Sequence, residues 1–208
     1  MWIFQLASGA FADSLPQPIR QIAQIIGGIL AVLWGLELLD SILLGGALNR
    51  FGIRPRRPTG LVGILLAPLL HGNLAHLAAN TGPLVILSGL ILLGGVTNFV
   101  IVTAVAWLVS GAGVWLTGGS RTNHLGASGV VFGYFGFLLL RGYFEQSPAA
   151  IALAVLTVVL YGGLIWGILP IQRGKSWQSH LYGLAAGGLA ARYLPLLQQQ
   201  FSQWLSQS

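Results

Sequence analysis

Residues 126–140 read GASGVVFGYFGFLLL, with no charge among them and glycine at Gly126, Gly129, Gly133 and Gly136. On a helix, spacings of three and four gather these glycines into one smooth stripe, against which a second backbone can lie closely. The stretch of 15 residues, at ~1.5 Å per residue, makes roughly 22 Å of helix. That is short of the ~30 Å hydrocarbon core of a bilayer, so one end of the helix must lie below the membrane surface. If the sunken end is the amino end, Ser128 occupies the first turn, where unpaired backbone N–H groups and the positive end of the helix dipole point outward. A nucleophile whose attack creates an oxyanion is well served there.

The rest of the chain supports a membrane setting. Of 208 residues, 55% are hydrophobic and 7% charged, and no Asp, Glu, Lys or Arg occurs from Thr59 to Ser120. An average soluble domain carries about 25% charged residues, so this chain could not cover a water-facing surface. Apolar runs and their breakers give six spans, near 22–45, 72–94, 97–117, 126–140, 149–169 and 178–195. The resulting expectation is an all-α bundle of six transmembrane helices. It divides into an N-terminal segment 1–21, a membrane domain 22–195 and a C-terminal tail 196–208.

Residues 1–12 are mildly apolar but lack a basic region, a poor fit to a cleavable signal peptide. The first loop, residues 46–70, contains an apolar stretch too short to span, so it is expected to lie in the interface or re-enter partway. With no cysteine, thiolate metal sites, disulfides and cysteine nucleophiles are excluded. Neither a cofactor nor a metal site is expected. The net charge of +6 comes from basic residues scattered between apolar runs. Anionic lipid headgroups, not nucleic acid, are the expected partners.

Polar side chains inside lipid need a partner or a job. His76 and Asn80, four apart, share one helix face, either as interhelical hydrogen-bonding groups or as part of a site; His71 lies at the helix entrance. In the last span Gly183 and Gly187 form a second stripe, and His180 lies three residues before it. Packing the two stripes together would bring His180 beside Ser128. The four acidic residues, Asp13, Glu37, Asp40 and Glu145, are all outside the spans concerned. A Ser–His dyad without a carboxylate is therefore the candidate. Glu37 and Asp40, on the first span, are expected to face the first-loop arginines.

Taken in order, His71-x4-His76-x3-Asn80, Gly126-Ala127-Ser128-Gly129 and His180-x2-Gly183-x3-Gly187 resemble the rhomboid family of intramembrane serine proteases, over nearly the whole chain. The resemblance implies a bacterial-type bundle of six helices in a prokaryotic cell membrane, acting on the transmembrane segments of other proteins. Ser128 would be the nucleophile and His180 the general base. His76, Asn80 and the Ser128 backbone N–H would stabilise the oxyanion, and His71 would be a supporting residue. Phe132 stands where many relatives have a tyrosine stacked on the histidine, keeping the ring but losing the hydroxyl. The first loop has Arg54-Pro55-Arg56-Arg57 in place of the Trp-Arg pair of many members.

The resemblance also implies an N-terminus inside the cell. The charge distribution implies the reverse, because loops one, three and five carry Arg50, Arg54, Arg56, Arg57, Arg121, Arg173 and Lys175. A non-proteolytic member that binds or chaperones membrane helices, or a small channel, would fit the same pattern of spans.

Overall fold

The computed structural model describes residues 16–171 and 176–207. Most of the expected N-terminal segment, together with Asp13, Arg173 and Lys175, falls outside these residues. Among the described residues seven α-helices follow in order: α1 (Gln17–Leu38), α2 (Thr59–Leu66), α3 (Leu74–Leu92), α4 (Val96–Thr117), α5 (Ser128–Glu145), α6 (Pro148–Tyr161) and α7 (Trp177–Gln207). A π-helical turn, Leu39–Leu43, prolongs α1, and a 3-10 segment, Gly162–Ile168, prolongs α6. Among the described residues four helical segments are long and apolar enough to cross a membrane: Gln17–Leu43, Leu74–Leu92, Val96–Thr117 and Pro148–Ile168. The expectation of six such segments is thus met for four.

The other two expected spans, α5 and α7, form the centre. Most of α5 is buried, Gly129 to Leu138 without interruption, and it packs against α7, α4, α6 and α3. Its 18 residues make roughly 27 Å, extending past Arg141, where the sequence suggested an end. Arg141 is held within the helix by an ion pair with Glu145, the last helical residue. The α7 helix continues through Pro195 to Gln207 as one run of 31 residues, roughly 46 Å and longer than the hydrocarbon core.

The two glycine stripes do meet. A methyl group at Gly183 would overlap the Gly129 carbonyl, and one at Gly187 would overlap the Gly133 carbonyl. The helices therefore touch backbone to backbone. Gly133 of the same stripe also abuts the Ala106 methyl of α4.

The first loop is folded against the bundle. After the π turn it forms a 3-10 turn, Ala47–Phe51, then α2, then a second 3-10 turn, Ala67–Leu69. Ile53 and His124 pair through both backbone hydrogen bonds, at 2.9 and 3.0 Å, and the Gly126 N–H donates to the Ala67 carbonyl at 2.9 Å. Leu61, Val62 and Leu65 of α2 are exposed, an apolar ridge consistent with placement in lipid or its interface.

Glu37 and Asp40 do not face the arginines. Both are 3% exposed. The Asp40 carboxylate accepts the Leu48 N–H at 2.8 Å, and Glu37 accepts the Ser41 hydroxyl at 2.8 Å. Arg56 instead donates to the Leu116 carbonyl at 3.0 Å, and Arg50 lies over the Phe51 ring. The local chain explains the change. The π turn and the reversal at Gly45-Gly46, both with positive φ, bring the Leu48 N–H over Asp40, and a buried backbone donor needs an acceptor. Asp40→Ala is expected to destabilise the protein by about 1–3 kcal/mol and Asp40→Asn, which keeps an acceptor oxygen, by less. Thermal unfolding in detergent checks the order.

Candidate active site

The α5 helix begins at Ser128, which puts that side chain in the first turn. His180 is in the first turn of α7. The stripe contact sets the two helices at a fixed separation, and His180 Nε2 lies 3.1 Å from Ser128 Oγ. On its other side His180 Nδ1 lies 2.8 Å from the Gly167 carbonyl oxygen. A carbonyl only accepts, so Nδ1 carries the proton and Nε2 presents its lone pair to the serine hydroxyl. Phe132, one turn beyond Ser128, stacks flat on the imidazole, with centroids 4.0 Å apart and planes 1° apart. The ring has two restraints, one polar and one apolar.

Gly167 went unnoticed in the sequence because any residue carries a carbonyl. Its missing side chain was the available signal: a Cβ there would sit 2.6 Å from Phe132 Cζ and 3.2 Å from His180 Nδ1. Only glycine allows this close approach.

On the opposite side of Ser128, α3 supplies His76 and Asn80. Asn73 caps that helix by accepting the His76 N–H at 2.8 Å. Gly126, with φ of 108°, turns the chain into α5. A Cβ on it would lie 2.7 Å from His76 Cε1 and 3.6 Å from Asn80 Nδ2, so both side chains press on the backbone just ahead of the serine. The Asn80 Nδ2 amide is buried without a hydrogen-bond partner. An unsatisfied buried donor is costly, and here it borders the place where an oxyanion would form.

His71 is displaced from this pair. Its Nε2 accepts the Ala127 N–H at 3.3 Å, and its ring meets His76 edge-on at 5.2 Å. Burial, with the neighbouring His76 as a lesser cause, holds the His71 imidazole down at about 4. The ring is neutral at physiological pH, as an acceptor must be. Gly129 lies between the Ser110 and Ser179 hydroxyls. No group of three or more His, Cys, Asp or Glu that could hold a metal occurs among the described residues.

A family model for the rhomboid domain matches residues 58–196, a range that includes every residue of the Ser128 site. The chain belongs to the rhomboid family. It is a multi-pass membrane protein in a family of intramembrane proteases. Its relatives include uncharacterized proteins of Mycobacterium bovis and Mycobacterium tuberculosis, each 42% identical over 191 residues, covering 86% of this chain and 79% of the relative. An uncharacterized protein of Mycobacterium leprae is 39% identical over 188 residues, covering 84% and 74%. Within the rhomboid domain, His76 and Asn80 lie on α3, Ser128 and Gly129 on α5 and His180 and Gly183 on α7, with His71 and Gly126 in the segments just ahead of α3 and α5.

Proposed function

We propose that this rhomboid is an active intramembrane serine endopeptidase that hydrolyses peptide bonds in or beside transmembrane segments of other proteins. In this reading all six long helices cross a prokaryotic cell membrane, residues 22–195 form the catalytic domain, and no cofactor is used. The observation that carries it is the 3.1 Å approach of His180 Nε2 to Ser128 Oγ, with the imidazole proton held on the far side by Gly167. That geometry supports the reading of Ser128 as the nucleophile and His180 as its base.

Ser128 Oγ bonds to the substrate carbonyl carbon while its proton passes to His180 Nε2. The carbonyl oxygen becomes an anion facing the Ser128 N–H, Asn80 Nδ2 and His76. Collapse breaks the C–N bond, and the amine leaves with the proton from His180. Water, deprotonated by His180, then hydrolyses the acyl-serine. Gly167 takes the orienting part that a carboxylate plays in a triad.

The scissile carbonyl must be freed from its own helix to reach Ser128, so substrates are expected to have helices weakened by glycine or proline. Full-length protein reconstituted with single-span substrates tests both levels. A Gly/Pro variant should be cut and a rigid Leu/Ala helix cut much more slowly. Equal rates overturn the substrate rule, and no cleavage of any substrate favours a non-proteolytic helix-binding protein. Asn80→Ala should lower kcat about 100-fold with little change in KM, since the amide gains its partner in the transition state. An equal rise in KM at constant kcat would place Asn80 in substrate binding instead.

A further inference from the structure

His124 takes no part in the chemistry above, yet both of its ring nitrogens have hydrogen-bond partners. Its backbone is paired with Ile53 in both directions, which fixes the loop between α4 and α5 to the first loop. Its ring bridges outward from that fixed point. Nδ1 lies 2.7 Å from Ser176 Oγ, and Nε2 lies 2.6 Å from Thr122 Oγ1.

The direction of each bond can be worked out. Thr122 Oγ1 donates its single proton to the Gly119 carbonyl at 2.7 Å, so it must accept from His124 Nε2–H. His124 Nδ1 is then an acceptor, and the Ser176 hydroxyl donates to it. Burial holds this imidazole below its ordinary range, which favours the neutral ring that has one donor and one acceptor.

Ser176 is the residue just ahead of α7. Its Oγ accepts the Ser179 N–H at 3.3 Å, and its carbonyl accepts the N–H of His180 itself at 3.2 Å. The bridge thus ends on the turn that carries the base. At its other end, His124 precedes Ser128 by four residues, just as Ser176 precedes His180 by four. Contact between the glycine stripes sets how closely α5 and α7 approach, but smooth stripes can slide. The His124–Ser176 link lies at the mouth of that contact and opposes sliding along the helix axes.

We propose that His124 is a positioning residue, whose imidazole ties the loop leading into Ser128 to the first turn of the His180 helix and so fixes the register of nucleophile and base. This rests on the proteolytic reading of the site. The link does its work through the dyad and touches no substrate.

The test uses full-length protein in proteoliposomes, with kcat and KM on a cleaved single-span substrate, the rate of fluorophosphonate labelling, and thermal unfolding. His124→Ala and Ser176→Ala should each lower kcat and labelling about 10- to 100-fold, the scale of a misplacement near 1 Å, while KM stays within about twofold. Because both remove one link, the double variant should be no slower than the slower single. His124→Gln, which keeps a donor and an acceptor, should recover most of the loss. Wild-type rates in the alanine variants, or losses that multiply in the double, overturn the proposal. If His124→Ala does not fold, Ser176→Ala, which leaves the Thr122 bond intact, decides in its place.

Should wild-type protein neither cleave nor label, the proteolytic reading fails first. The link is then measured by amide hydrogen exchange over residues 177–183, which should quicken about 10-fold or more in either alanine variant. Unchanged exchange overturns the link itself.

Discussion

Ser128→Ala is expected to abolish fluorophosphonate labelling and to lower cleavage on the order of 10,000-fold or more, while the protein unfolds at nearly the same temperature. The reason for so lopsided an effect lies in what the side chain touches. Its hydroxyl has a hydrogen bond to His180 at 3.1 Å, worth about 1 kcal/mol to stability. Alanine is also the best helix former, at a position where α5 begins. In the proposed mechanism, by contrast, all of the covalent chemistry passes through that oxygen. His180→Ala should abolish activity as well but is a less clean experiment. It removes a ring stacked on Phe132 and leaves the Gly167 carbonyl without its donor, so lost activity and lost packing would be mixed. Cleavage that survives Ser128→Ala, in protein free of contaminating protease, would overturn the assignment of Ser128 as nucleophile.

The features legible in the sequence were those that depend on side-chain spacing along a helix. Glycines three and four apart specify a stripe whatever surrounds them, and a histidine placed three residues before one stripe is carried to the serine on the other. The His76–Asn80 pair was legible for the same reason. What escaped notice was supplied by backbone. The Gly167 carbonyl orients His180, and the Leu48 N–H claims the carboxylate of Asp40 that charge alone had assigned to an arginine. His124 stood in plain view as a fourth histidine, but its partners Ser176 and Thr122 come together only when the loops at one end of the bundle fold.

The arginines of the first loop show the same limit. Counting them as topological signals set the charge distribution against the family's orientation. In the structure Arg56 donates to the Leu116 carbonyl and Arg50 covers Phe51, which gives both a structural use. A residue employed within the fold is weak evidence for which side of a membrane it occupies.

Gly183→Ala is expected to be among the most damaging single-methyl additions in the protein. The new Cβ would overlap the Gly129 carbonyl and lie 3.2 Å from the Gly133 N–H nitrogen. Both are backbone atoms of a buried helix, so no side chain can rotate away, and α5 and α7 must separate. Overpacking a core commonly costs about 1–3 kcal/mol, and a contact made by two backbones belongs at the upper end of that range or beyond. The same separation lengthens the Ser128–His180 contact, and a shift near 1 Å is enough to cost about 100-fold in rate. Gly28→Ala in α1 is the control. It adds the same methyl group where nothing lies within 4 Å, and it should be neutral or stabilising by up to about 1 kcal/mol through helix propensity. Stability and cleavage measured side by side separate the two positions. If Gly183→Ala proved as harmless as Gly28→Ala, the close contact of the two glycine stripes could not be what holds nucleophile and base together.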